Sequence, residues 1–205
     1  MSEPGIALLG GAFNPPHRSH RRLAEAALTQ LPVSELRVLP VGDHPHKRDG
    51  DVAEGAHRVR MCKLAFADLQ GVVIDDREVQ KPGLSFTVDT LAALRNEAPD
   101  RPLWFLIGAD NLLLLPTWRE HHRILELARV ATFPRLGTTI SADALAKLDL
   151  SPQEQRQLLD HALQLEPDSV SASSIRQALA AGDRNLTGLL PSVEDYILAH
   201  KLYQT

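Results

Sequence analysis

Several features are scarce in this chain of 205 residues, and each scarcity removes a class of answers. Cys62 is the one cysteine, so no internal disulfide can form and a reducing compartment, the cytoplasm, is expected. No apolar run approaches the length of a membrane span, and the leading MSEPGIALLGG lacks the basic start and cleavage signal of a secreted precursor. Positive charge is not in excess. At a formal −4, bulk attraction to nucleic acid is not expected. Neither the G-x-G-x-x-G dinucleotide fingerprint nor the Gly-Lys-Ser/Thr ending of a P-loop occurs, and no internal repeat or low-complexity tract is evident.

What is present is ordinary globular material: 43% hydrophobic and 23% charged residues, enough to bury a core. Apolar runs at Gly5–Leu9, Leu36–Pro40, Val72–Asp75, Leu103–Gly108 and Val130–Phe133 read as strands. Between them, helical spacing appears over Ser19–Gln30, Gly55–Asp68, Thr87–Asn96 and Arg119–Leu127. Leu23, Ala27, Leu28 and Leu31 form one stripe, and Val88, Leu91, Ala92 and Arg95 another. Segments such as LWFLIG are apolar on both faces, as in strands covered by helices on both sides. The alternation predicts an α/β fold, a Rossmann-like doubly wound parallel sheet, as one domain over residues 1–205 with a helical part from about 170 onward. Ser151, Pro152 and Glu154 read as a capping box, and Ser192 as a cap for the last helix.

Chemistry concentrates at Gly10–His20, GGAFNPPHRSH. Gly10 and Gly11 follow the first strand and allow close backbone approach to an anion, while Phe13 and Asn14 belong to the turn. His17 and His20 then stand at the mouth of a helix, whose first N–H groups face outward. A second basic cluster, with His46 and Lys47, follows the second strand. Solvated surface charge and tight strand-to-helix packing are the bland explanations for these clusters. Gly108 and Asp110 follow the fourth strand, where a carboxylate suits either a ribose or a helix cap. Ser173, Ile175 and Arg176 lie at a serine-rich helix start, which alone reads more readily as a plain cap with a solvated arginine. Trp118 is a candidate stacking surface or packing residue, and Trp104, inside a strand, the better core candidate. Packing is also the expected role of Cys62. His121 and His122 are adjacent on a helix and are expected to point apart, so no protein metal site is expected there.

The string GGAFNPPHRSH resembles the first motif of the nucleotidylyltransferase superfamily, an (H/T)xGH element after the first strand, with Ser19 at the usual glycine. LPVGDHPHK, SFTVDTL, FLIGADNLLLLPTW and VSASSIR follow in order and resemble further motifs of the bacterial nicotinate mononucleotide adenylyltransferases. The resemblance implies ATP and nicotinate mononucleotide as substrates, giving deamido-NAD and pyrophosphate without a covalent intermediate, in NAD synthesis. It puts His17, His20, Lys47 and Arg176 on the phosphates, and Gly10, Gly11, Phe13, Asn14, Gly108, Asp110, Ser173 and Ile175 around ATP. His46, Thr87, Trp118 and Arg135 would meet the mononucleotide. Mg2+, held mainly by the ATP phosphates and water, is the implied cofactor. Nicotinamide mononucleotide as acceptor, or a catalytically idle nucleotide-binding module, are the alternatives.

Overall fold

The computed structural model describes residues 3–42, 52–135, 137–138 and 141–204. Five parallel strands form one sheet: β1 (Gly5–Gly11), β2 (Val33–Pro40), β3 (Val72–Ile74), β4 (Leu103–Gly108) and β5 (Arg129–Phe133). Their order across the sheet is β3-β2-β1-β4-β5. The helices are α1 (Arg18–Gln30), α2 (Gly55–Ala65), α3 (Arg77–Gln80), α4 (Thr87–Glu97), α5 (Ala109–Leu112), α6 (His121–Leu127), α7 (Ala142–Leu145), α8 (Pro152–Asp160), α9 (Ala172–Ala180) and α10 (Pro191–Ala199). A single 3-10 turn, Leu115–Thr117, lies before α6.

Side-chain alternation along the strands builds two cores, one on each face. Ala7 and Leu9 of β1, with Trp104 and Leu106 of β4, face a layer formed by α1, α2, α9 and α10. Ile6 and Leu8, with Leu103, Phe105 and Ile107, face α4, α6, α7 and α8. All six residues of β4 are buried, as its doubly apolar sequence predicts. Trp104 and Cys62 both take the expected core positions. In α1 the residues against the sheet are Leu23, Ala24, Ala26 and Ala27, with Leu28 and Leu31 at the margin. Small alanines let this helix lie close to the strands.

Local rules explain most element ends and several departures from expectation. His17 is extended, at φ −145° and ψ 177°, and takes the cap position, so α1 starts at Arg18, one residue before the expected Ser19. The box at α8 forms as predicted: Ser151 Oγ accepts from Glu154 N at 3.3 Å, and Glu154 Oε2 accepts from Ser151 N at 2.6 Å. Ser192 is not a cap. Pro191 takes the first turn of α10 and puts Leu190 at the cap position. Helix α6 begins at His121 rather than Arg119, because Glu120 adopts a left-handed φ of 52°. Helix α2 stops at Ala65, short of the expected Asp68.

After β5 the chain passes α7 and α8 on one face. It then crosses the sheet's outer edge, where Thr132 N donates to His161 O at 3.0 Å and Leu163 N to Thr132 O at 2.8 Å. This crossing delivers α9 and α10 to the opposite face, beside α1. No helix among the described residues is long and apolar enough to cross a membrane. Leu106, central in β4 and 2% exposed, tests the packing. Leu106→Ala is expected to lower unfolding free energy by about 2–5 kcal/mol in urea titration, and a loss below about 1 kcal/mol would contradict the described core.

Candidate active site

Strands β1 and β4 are neighbours, paired in parallel from Ile6↔Leu103 to Leu9↔Leu106. The connection from β1 runs through α1 on one face, whereas β4 continues into α5 and α6 on the other. The carboxyl ends of these two strands therefore flank the crevice of the doubly wound sheet, where ligands of this architecture bind.

From β1, Gly10 faces open space: a side chain there would meet nothing within 4 Å. Gly11 is constrained instead, since a Cβ would lie 3.2 Å from the Phe13 ring. Phe13 has a left-handed φ of 47° and its ring packs 4.9 Å from that of His20. The His17 and His20 rings are themselves 4.0 Å apart. His17 N donates to His20 Nδ1 at 3.2 Å, which fixes the neutral His20 ring with its proton on Nε2. His17 is 3% exposed, and its buried Nδ1 has no hydrogen-bond partner. An orphaned polar atom of this kind is a place for a ligand. One sequence expectation needs amending here. The first N–H of α1, that of Arg18, donates to Gly188 O at 2.9 Å, so it is not free for an anion and the imidazoles carry more of the site.

Burial pushes the His17 imidazole down to about 4, with Arg135 and Arg18 adding to the fall and Asp168 opposing it. His20 is also held well below the usual histidine range by burial, His17 and Arg135. Both rings are neutral at pH 7. On the β4 side, Asp110 Oδ1 lies 3.7 Å from Arg135 Nε. A side chain at Gly108 would be 2.5 Å from Asp110 Oδ1 and 3.1 Å from Arg135 Nε, so a glycine is what lets these two converge.

The C-terminal part reaches the same place. Arg176 Nη1 donates to Asn14 O at 3.0 Å across 162 residues of sequence. Asn14 Oδ1 accepts from Ala53 N at 3.0 Å and from the Tyr203 hydroxyl at 2.6 Å. Ile175 is buried beneath, and Ser173 sits exposed in the first turn of α9, whose cap is Ser171. Two residues not singled out from sequence hold this arrangement. Arg58, fully buried, donates to Ala53 O and Ala12 O at 3.0 Å each. Asp168 accepts from Arg18, Ser19 and Arg22. Neither stands in a recognisable short pattern; a buried arginine and a loop aspartate acquire meaning only from long-range partners.

Thr87 and Trp118 belong to the other face. Thr87 opens α4, and Trp118 follows the 3-10 turn, half-buried against the second core with its ring 6.1 Å from Phe105. Phe86 is exposed nearby in sequence, with the Arg119 guanidinium 4.9 Å over its ring. Phe13, beside the histidines, thus packs into the first core and Trp118 against the second. His46 and Lys47 lie outside the described residues.

The expectation that His121 and His122 point apart is wrong. Their rings are 4.0 Å apart, because His121 Nε2 turns to Asp149 O and His122 Nδ1 to Glu154 Oε1. With Asp149 they are the one His/Cys/Asp/Glu group among the described residues whose ligand atoms lie within 4.8 Å of one another.

The neutral histidines make a pH prediction. Between the His17 value of about 4 and the ordinary 6.5, the unfolded chain binds more protons than the folded one, so stability rises with pH there. Thermal midpoints should fall as pH drops from 7 toward 4, and His17→Gln should flatten that slope. An identical slope in the variant would contradict the buried neutral imidazole.

Comparison with known proteins agrees with this fold. Residues 8–178 match the cytidylyltransferase-like family. A relative from Laribacter hongkongensis, named as a probable nicotinate-nucleotide adenylyltransferase, is 38% identical over 98% of this chain and 94% of its own. One of the same name from Albidiferax ferrireducens is 39% identical over 98% of both chains. Among solved structures, the Plasmodium falciparum nicotinic acid mononucleotide adenylyltransferase complexed with NaAD superposes with a TM-score of 0.81, at 18% identity and over 98% of both chains. That similarity concerns the fold. With most of its length matched by the family and its full-length relatives above 30% identity, the chain belongs to the cytidylyltransferase-like family, among the nicotinate-nucleotide adenylyltransferases.

Proposed function

We propose that this protein transfers the adenylyl group of ATP to nicotinate mononucleotide, releasing pyrophosphate and forming deamido-NAD. The observation that carries the proposal is the pair of neutral imidazoles His17 and His20, the first with its buried Nδ1 unpartnered, gathered with Arg135 and Arg176 at one strand-end crevice. Full-length relatives bearing the same activity in their names support it.

In this reading ATP lies along Gly10, Gly11, Phe13 and Asn14, where the open space above Gly10 admits a phosphate or ribose close to the backbone. His17 and the Nε2–H of His20 donate to the triphosphate. Arg176 and Lys47 take the leaving pyrophosphate, and Ser173 and Ile175 border it. Asp110 and the close approach permitted at Gly108 serve the ribose. The acceptor occupies the opposite face, with its pyridine ring on Trp118, its carboxylate at Thr87, and Arg135 and His46 toward its phosphate. An acceptor phosphate oxygen attacks the α-phosphorus in line, and the bond to the pyrophosphate oxygen breaks. No protein nucleophile is needed, and catalysis consists of positioning and charge stabilisation. A low-pKa imidazole suits this task, because a growing phosphate charge raises its proton affinity during the reaction.

Mg2+ fits this donor set as a companion of ATP. The side chains gathered here are mostly nitrogen donors complementary to phosphate, and Asp110 is the carboxylate beside them. The ion would supply charge neutralisation on the phosphates, with water and phosphate oxygens as its main ligands. Cytoplasmic location belongs to the same proposal.

The direct test is pyrophosphate release from Mg-ATP with nicotinate or nicotinamide mononucleotide, expected to be faster with the nicotinate form; ATP binding without release would contradict transfer. His20→Ala should lower kcat by about 100-fold or more without loss of fold, and an unaltered kcat removes His20 from the mechanism. Trp118→Ala should raise the mononucleotide KM about tenfold, whereas a selective loss of ATP affinity would overturn its placement.

A further inference from the structure

Asp168 lies in the segment between α8 and α9, far in sequence from the histidine motif. Its side chain is 8% exposed. Oδ2 accepts from Arg18 Nε at 3.1 Å, from Ser19 Oγ at 3.0 Å and from Arg22 Nη1 at 3.4 Å. Oδ1 accepts from Arg18 Nη2 at 3.1 Å and from Val170 N at 3.1 Å. A surface ion pair of two mobile side chains contributes little. This carboxylate is different, being nearly buried, forked onto one arginine, and bonded to the backbone next to the α9 cap.

The contacts close into a ring. Arg18 is held at its guanidinium by Asp168 and at its backbone N–H by Gly188 O, at 2.9 Å. Val170, which Asp168 fixes through its N–H, packs over Gly188 so closely that a Cβ there would lie 2.7 Å from Val170 Cγ2. Arg18 and Ser19 are the two residues between His17 and His20. Val170 directly precedes Ser171, the cap of the helix that carries Ser173 and Arg176. The ring therefore joins the histidine turn to the arginine helix at their phosphate-facing ends. It also accounts for Ser19: its hydroxyl is engaged by Asp168.

We propose that Asp168 is a positioning residue for adenylyl transfer, setting the α1–α9 spacing so that His17, His20 and Arg176 act on one triphosphate. It touches neither substrate. The inference rests on the function proposed above, and it separates ATP-side geometry from the acceptor side, which lies across the sheet at Trp118.

The test is Asp168→Asn, which keeps the shape and removes the charge, compared with Arg18→Gln on the more exposed partner. Each variant is expected to lose about tenfold or more in kcat, with the nicotinate mononucleotide KM within about twofold of wild type. The double variant should be no worse than the poorer single one, since both break the same contact. A kcat within about twofold of wild type in both single variants overturns the proposal. So does an equal rise in KM for both substrates, or losses that multiply in the double variant. If Asp168→Asn fails to fold, Arg18→Gln decides by the same kcat and KM criteria. If wild-type protein releases no pyrophosphate with either mononucleotide, the proposed function has failed. Asp168 is then judged by Mg-ATP titration of the variants against wild type: affinity about tenfold weaker supports its role, and unchanged affinity removes it.

Discussion

In a parallel sheet ordered β3-β2-β1-β4-β5, the helices that follow β1 and β4 leave toward opposite faces, and the carboxyl ends of those two strands part. Every chemically informative residue among those described depends on that parting. Gly10 to His20 issue from one lip, and Gly108, Asp110 and then Arg135 from the other side. Side chains of β1 and β4 alternate between the two layers, Ala7, Leu9, Trp104 and Leu106 to one and Ile6, Leu8, Leu103, Phe105 and Ile107 to the other, so each layer is fitted to one register. The site is thus a by-product of how two cores are sorted by one sheet.

The crevice alone would be an open slot. In the proposed reading it becomes a phosphate site because the last third of the chain, beyond β5, returns to it. The passage over the edge of β5 carries α9 and α10 to the α1 side, where Arg176 meets Asn14, Tyr203 meets Asn14, and Asp168 meets Arg18 and Ser19. These are contacts between residues more than 140 positions apart, and their geometry rests on packing of Ile175, Leu179, Val193 and Ile197 in the first core. Desolvation by burial keeps His17 and His20 uncharged at pH 7. Folding, electrostatics and chemistry are therefore coupled at one locus.

Much of this was legible in the residues. Strands with apolar faces on both sides and helices with a stripe at helical spacing announce a doubly wound sheet, and the glycine turn followed by two histidines marks a candidate anion site. Several motif residues, Gly10, Gly108 and Arg135 among them, lie at the strand-end crevice, where short segments of backbone lead directly from the sheet. What stayed illegible depends on tertiary partners. Asp168 and Arg58 carry no local signature, and the use of the first α1 amide by Gly188 cannot be read from either segment alone. Likewise, adjacency of His121 and His122 suggests divergence, but partners on Asp149 and Glu154 draw the rings together. Ser192 lost its capping place to Pro191 because a fixed φ already suits the first helical turn.

In the proposed reaction the acceptor phosphate displaces pyrophosphate directly, in a single in-line step. The stereochemistry at phosphorus reads this without reference to any variant. With an ATP analogue made chiral at the α-phosphorus by sulfur, a single in-line displacement must invert configuration in the dinucleotide product. Inversion is the predicted result. Retention would mean two displacements through a covalent adenylyl-protein intermediate, and would contradict the account.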